Sequence, residues 1–195
     1  VRDYGDEGVI EFIFSELIRL LKGTGKHQWQ QAELELGGQD IGIIGMGTLG
    51  AMLAEKAQSF GMNVYYHSRS RKPEIEAGGV NYLDLDELLR KVSIISTHLP
   101  RNTVLLADKL SLFGNNKILV NTSLEPTFDV KEFDQWIRHP GNYAIFDRVA
   151  MGTCYDQLKN YDRVIYTDKV VGWTEQAKHR LSEKVLSNIT SFLDK

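Results

Sequence analysis

Gly45, Gly47 and Gly50 stand two and three residues apart in the run Ile41-Gly42-Ile43-Ile44-Gly45-Met46-Gly47-Thr48-Leu49-Gly50, between an apolar stretch and an amphipathic one. At that spacing the first glycine permits a tight turn. The second lets another group approach the backbone, and the third lets a helix lie close to a strand. Thr48 and Leu49 open the helix with free backbone N–H groups, where the helix macrodipole also favours an anion. Such a loop suits a pyrophosphate. Its position directly after a strand and before a helix points to dinucleotide binding rather than to a structural glycine turn.

The end of the second strand selects among dinucleotides. NAD sites usually place Asp or Glu there to hydrogen-bond the ribose hydroxyls, but this chain reads Tyr65-Tyr66-His67-Ser68-Arg69-Ser70-Arg71-Lys72. Ser68, Arg69 and Ser70 suit a 2′-phosphate, because arginine offers a planar fork of donors to phosphate oxygens. NADP is therefore expected over NAD, the alternative being a solvated basic loop.

Around this site short apolar runs alternate with helical patterns. Ile41 to Gly45, Asn63 to His67, Val92 to Thr97, Ile118 to Asn121, Asn142 to Asp147 and Val164 to Thr167 read as strands. Leu49 to Phe60, Leu83 to Arg90, Leu105 to Phe113 and Val130 to Arg138 read as helices. Alternation of this kind implies an α/β, Rossmann-type doubly wound parallel sheet covered on both faces. Two longer helices flank it. From Asp6 to Leu21 the apolar positions exceed one face, which suits either sheet packing alone or an added subunit interface, and Gly23 and Gly25 end the helix. Lys26 to Gly38 is a polar connection anchored by Trp29. Glu175 to Leu193 carries Ala177, Leu181, Val185, Ile189 and Leu193 on one stripe.

The 195 residues, 42% of them hydrophobic, can bury one main core. A net charge of -3 and a pI near 6.0 give no field for nucleic acid and no polybasic run for a membrane, so a small-molecule partner is expected. The single cysteine, Cys154, closes no intrachain disulfide and reads as a small semi-buried residue; a cytoplasmic setting is expected. No metal ligands are assigned. Val1-Arg2-Asp3-Tyr4 lacks the apolar core of a signal peptide, and Val1 in place of Met suggests a start inside a longer reading frame.

The glycine loop, Phe60-Gly61-Met62-Asn63-Val64, Ser96-Thr97-His98-Leu99-Pro100, Asn121-Thr122-Ser123, Asp147 and Gly172-Trp173-Thr174-Glu175-Gln176-Ala177 together resemble the cofactor domain of the D-isomer-specific 2-hydroxyacid dehydrogenases over nearly the whole chain. The resemblance implies an interface helix and connection over residues 1–38 and an NAD(P)-binding domain over 39–172. It also implies a C-terminal helix over 173–195 that returns to a substrate domain not contained here. It further implies a homodimer formed through the helix at Asp6 to Leu21. His98, Leu99, Pro100 and Thr103 would line the cofactor, and Asp147 would lie beside the nicotinamide. Thr122, Ser123, Leu124 and Gly172 would complete the cofactor-binding set.

The family's catalytic residues do not carry over. Leu124 stands where the substrate-binding Arg is expected, and Lys169 where the acid His is expected. Arg148 to Thr153 contains no carboxylate to serve as that histidine's partner. An α-keto acid needs a cation for its carboxylate and a proton donor at its carbonyl oxygen. Lys169 is the one candidate donor, the alternative being a surface or hinge lysine. Two functions follow: an NADP(H)-preferring oxidoreductase with a rewired active site, or an inactive nucleotide-binding sensor or scaffold.

Overall fold

The computed structural model describes residues 5–193, so Val1-Arg2-Asp3-Tyr4 and the last two residues of the expected C-terminal segment lie outside the described residues. The elements in chain order are α1 (Asp6–Lys22), β1 (Asp40–Ile44), α2 (Thr48–Ser59), β2 (Asn63–His67), α3 (Pro73–Ala77), β3 (Asn81–Tyr82), α4 (Leu85–Lys91) and β4 (Ile94–Thr97). They continue with α5 (Leu110–Phe113), β5 (Ile118–Asn121), α6 (Val130–Ile137), β6 (Tyr143–Phe146), α7 (Tyr155–Leu158), β7 (Val164–Tyr166) and α8 (Glu175–Leu193). The strands form one seven-stranded sheet in the order β3-β2-β1-β4-β5-β6-β7, with every pair parallel. All strand C-termini therefore share one edge. The order reverses between β1 and β4, which opens a crevice beyond their ends.

Side chains alternate across the strands into two cores. Ile41, Ile43, Ile94, Val120 and Ile145 face α1 and α2, while Ile44, Ile95, Leu119, Ala144 and Phe146 face the α4–α6 side. The uninterrupted apolar runs of the sequence reflect this double burial.

The wide apolar surface of α1 is largely consumed within the chain. Ile10, Ile13, Phe14, Leu17, Leu20 and Leu21 are buried, and Phe14 packs on Phe60 with ring centroids 4.9 Å apart. On its other flank Gly8 admits the loop before α8: a methyl group there would lie 2.6 Å from the Val171 carbonyl oxygen. The 26–38 connection then folds over the helix end, as Trp29 and Leu34 donate backbone N–H bonds to the carbonyls of Leu20 and Leu21. Ile18 is the large apolar residue of α1 left exposed. The reverse holds for α8, where Ala177 is buried and Val185, Leu186, Ile189, Phe192 and Leu193 are exposed.

One expected helix is much shorter. Leu105 to Phe113 contracts to α5, because Asp108 adopts φ 56° and Lys109 closes a turn onto the Leu106 carbonyl. Three short elements, α3, β3 and α7, had no periodic signal long enough to read.

Leu17→Ala is expected to destabilise the fold by about 2–5 kcal/mol, as deletion from a fully packed site does, whereas Ile18→Ala one position further costs less than about 1 kcal/mol. Chemical denaturation of the two variants measures the difference; equal losses would mean that α1 is packed otherwise.

Candidate functional site

The β1–α2 turn is a set of close backbone approaches. Gly45 adopts φ +101°, and a methyl group on it would lie 2.4 Å from the His98 carbonyl oxygen. A methyl on Gly50 would lie 2.1 Å from the Gly45 carbonyl oxygen. Gly47 is different: nothing stands within 4 Å of where its methyl would be. The first two glycines are required by the protein itself, and the third keeps a face of the loop open. Gly47 caps α2 without a side chain, so the first-turn N–H groups of Thr48 and Leu49 are not capped by one.

Three hollows run end to end along the C-terminal edge of the sheet. The first, of about 610 Å³, is bounded by the glycine loop, by Ser68, Arg69 and Ser70, and by His98, Leu99, Pro100 and Thr103. A second of about 430 Å³ shares Gly47 and His98 to Pro100 with it and adds Thr48, Leu49, Gly50, Thr122, Ser123 and Leu124. The third, of about 270 Å³, shares Leu49, Thr122 and Leu124 with the second and reaches Asp147, Gly172 and Trp173. All the residues assigned to a cofactor from the sequence thus border one continuous cleft.

The cleft floor is a buried hydrogen-bond lattice. Asn121 Oδ1 accepts from Thr97 Oγ1 at 2.8 Å and from the Ser123 N–H at 2.9 Å, while its Nδ2 donates to the Glu125 carbonyl at 3.1 Å. Ser123 Oγ donates to the Thr97 carbonyl at 3.0 Å and accepts the Leu99 N–H at 2.9 Å. Every partner is internal, so the loops after β4 and β5 are fixed to one another. His98 lies between hydroxyls, with Nε2 3.0 Å from Ser96 Oγ and Nδ1 3.2 Å from Thr122 Oγ1. Burial of its ring lowers the imidazole to about 3, although the residue still borders the cleft. It is therefore neutral near pH 7. Asp147 accepts the Ala150 N–H at 2.8 Å; burial raises its carboxyl, and the N–H groups of Ala150, Val171 and Val149 oppose that rise.

Charge differs between the two ends. Arg69 and Lys72 border the first hollow, and neither is in an ion pair among the described residues. Arg71 is instead bound to Glu76. Ser68 Oγ donates to the Ser70 carbonyl at 2.6 Å, closing the turn. Among the described residues the third hollow is bordered by two acids, Asp6 and Asp147, and by no Lys, Arg or His. Leu124, 49% exposed, stands on its rim. Lys169 does not join this cleft: it is exposed and borders a separate hollow with Glu11, Phe12 and Thr167, although Val170 and Trp173 border both. Cys154 is free and half-buried.

Several cleft residues were not singled out as site residues from the sequence. Lys72 closes the basic run already noted and was within reach of that argument. Asp6 comes from the start of α1, and no spacing relates it to Leu49 or Thr122. Among the described residues no cluster of His, Cys, Asp and Glu is arranged to hold a metal ion, and no helix is long and apolar enough to cross a membrane.

Comparison with known proteins agrees with this geometry. The family model for the D-isomer specific 2-hydroxyacid dehydrogenase NAD-binding domain matches residues 13–138. Glyoxylate reductase of Aeropyrum pernix is 31% identical over 178 residues, covering 87% of this chain and 53% of that protein. The chain spans about half the length of the curated relatives it matches. D-lactate dehydrogenase from Aquifex aeolicus, solved with NAD and lactic acid, superimposes with a TM-score of 0.82 at 22% identity, over 100% of this chain and 68% of that one. An acyclic imino acid reductase solved with NADPH and D-Arg gives 0.81 at 22% identity, over 98% and 66%. These two structures share the fold. With well over half of its residues matched by the family model, the chain belongs to the D-isomer specific 2-hydroxyacid dehydrogenase family, of which it carries the NAD-binding domain.

Proposed function

We propose that this domain holds NADP(H) in preference to NAD(H), as part of an oxidoreductase whose carbonyl or alcohol substrate need not carry a carboxylate. The observation that carries the first half is the pair of cations, Arg69 and Lys72, at a hollow with no carboxylate on its border among the described residues. The cleft fits such a cofactor because the open face of Gly47 lies between the first two hollows, beside the uncapped start of α2. Gly45, Gly47, Thr48, Leu49 and Gly50 would hold the pyrophosphate. Ser68, Arg69 and Ser70 would meet the 2′-phosphate, His98 to Pro100 with Thr103 would flank the adenosine, and Thr122, Ser123, Leu124, Asp147 and Gly172 would surround the nicotinamide side. When bound, the cofactor supplies a hydride acceptor or donor. A dinucleotide that is the 2′-phosphate carrier gains from the cations; one without it does not.

The second half rests on Leu124 and on the lack of a bordering cation in the third hollow among the described residues. No described residue on its border pairs with a substrate carboxylate. Lys169 is the ionisable group at the position of the family's acid, and it would need to reach past Val170 and Trp173 to donate a proton into the cleft. The same absence favours a second reading, an inactive nucleotide-binding sensor or scaffold; turnover of a carbonyl panel with NADPH separates the two.

For the assembly, we propose residues 39–172 as the nucleotide domain and a homodimer formed through 1–38, using the outer side of α1 around Phe12 and Ile18. The exposed stripe of α8 would return to a substrate domain outside this chain.

NADPH is expected to bind at least about tenfold more tightly than NADH, with the gap narrowing as salt rises and mostly lost in Arg69→Ala. Fluorescence titration of both cofactors measures it, and equal wild-type affinities would overturn the preference. At full length the protein is expected to reduce pyruvate, glyoxylate and hydroxypyruvate far below ordinary rates, since a lost general acid alone costs about 10² to 10⁴. Any reductase activity should fall in Lys169→Ala while NADPH affinity holds; fast hydroxypyruvate turnover indifferent to Lys169→Ala would defeat the mechanism. Sedimentation should give a dimer that Phe12→Glu divides, and a well-folded wild-type monomer at micromolar concentration would refute it.

A further inference from the structure

The basic run after β2 contains three cations, and the structure uses them in two different ways. Arg71 turns away from the first hollow. Its Nε lies 3.1 Å from Glu76 Oε1, its Nη2 binds Glu76 Oε2, and its guanidinium sits 5.2 Å over the ring of Tyr82. Glu76 in turn accepts a hydrogen bond of 2.8 Å from Tyr66 Oη. Tyr66 is the penultimate residue of β2 and is fully buried, yet its hydroxyl also accepts the backbone N–H of Lys72 at 2.6 Å. Lys72 is the residue that caps α3, and its carbonyl accepts from the N–H groups of Ile75 and Glu76.

The loop from Ser68 to Lys72 is therefore closed on itself. It leaves β2 at His67, turns with Ser68 Oγ bound to the Ser70 carbonyl, and returns to the same strand through Tyr66 Oη. A buried hydroxyl with one donor and one acceptor partner is costly to leave unmatched, which fixes where Lys72 sits relative to the strand. Arg69 and Lys72 border the hollow from this loop, whereas Arg71 serves as the outer latch. Arg71 and Tyr66 hold the Glu76 carboxyl down at about 2, so the latch stays charged throughout the neutral range.

We infer that Tyr66 is a specificity-determining positioning residue: its hydroxyl, with Glu76 and Arg71, holds Arg69 and Lys72 where the 2′-phosphate of NADP(H) is gripped. This rests on the NADP(H) reading above. A cation fixed in place binds a phosphate better than one that must first be ordered, because the ordering cost is already met. The adenosine and pyrophosphate contacts that NADH shares do not depend on this loop, so Tyr66 acts on the ratio between the two cofactors.

The test titrates NADPH and NADH against wild type, Tyr66→Phe, Glu76→Gln and Arg69→Ala at low and high salt. Tyr66→Phe keeps the ring and removes the hydroxyl with its bonds to Glu76 and the Lys72 N–H; it should weaken NADPH about fivefold and NADH less than about twofold. Because no charge is lost, the salt dependence of NADPH binding should match wild type, whereas Arg69→Ala should flatten it. Glu76→Gln, at a half-buried position, should be selective in the same direction and decides the matter if Tyr66→Phe does not fold. Equal affinities in wild type would overturn the NADP(H) reading and this inference with it. A wild type that prefers NADPH, combined with an unchanged ratio in Tyr66→Phe or a parallel loss of both cofactors, would overturn the inference alone.

Discussion

Where β1 hands over to α2, the backbone carbonyl of Gly45 stands so close to Gly50 that a single methyl group would lie 2.1 Å from it. The rest of the cleft follows from that contact. Because the helix begins immediately after the strand, its uncapped N–H groups lie at the sheet edge rather than beyond it. Gly45 meets the equally tight constraint from His98, so the ends of β1 and β4 are also brought together at the point where the strand order reverses. Larger residues at either position would force the helix or the β4 loop outward and open a gap beside the uncapped N–H groups of α2. The glycines at 45 and 50 are thus packing residues first, whereas Gly47 is the one whose missing side chain leaves open space.

The electrostatics of the cleft follow its length. At the β2 end Arg69 and Lys72 border the cleft and no described carboxylate does, while at the β6 end Asp6 and Asp147 border it and no described cation does. Between them His98 stays neutral, because its ring is desolvated, and both its nitrogens meet hydroxyls. A protonated imidazole there would add a third positive centre and would compete for the same anion. Its neutrality leaves the positive charge bordering the cleft to the loop after β2, where Arg69 is exposed, rather than to the packed floor.

Much of this was legible in the sequence, for reasons that can be traced residue by residue. The strands were readable because each is buried on both faces, and the glycine loop because its spacing answers to two specific close approaches. The run at Ser68 to Lys72 announced its charge but not its division of labour: that Arg71 pairs with Glu76 depends on the turn into α3, which is too short to leave a period. The width of α1 suited either sheet packing alone or an added subunit interface, and within the chain the helix also meets the loop at Val171 and the strap at Trp29, both outside the helix in sequence. Lys169 aligned with a catalytic position, yet strand β7 ends in a loop that directs it to a neighbouring hollow. Alignment fixes order along the chain, and a cleft is decided by which side of a loop each residue occupies.

The lattice around Asn121 explains how the binding half and the chemical half of such a site can diverge independently. Asn121 and Ser123 are tied to Thr97, Leu99 and Glu125 through their side chains and backbone, so altering them would unmake buried hydrogen bonds and loosen the cleft floor. Position 124 lies one residue beyond and is half-exposed on the rim. No bond in the lattice involves its side chain, so leucine fits there as readily as a longer residue. The fold therefore enforces the nucleotide cleft through packing and buried polar contacts, while the side chains that would meet a substrate stand on loop positions where stability asks little of them. A chain can keep the first and change the second without losing its structure.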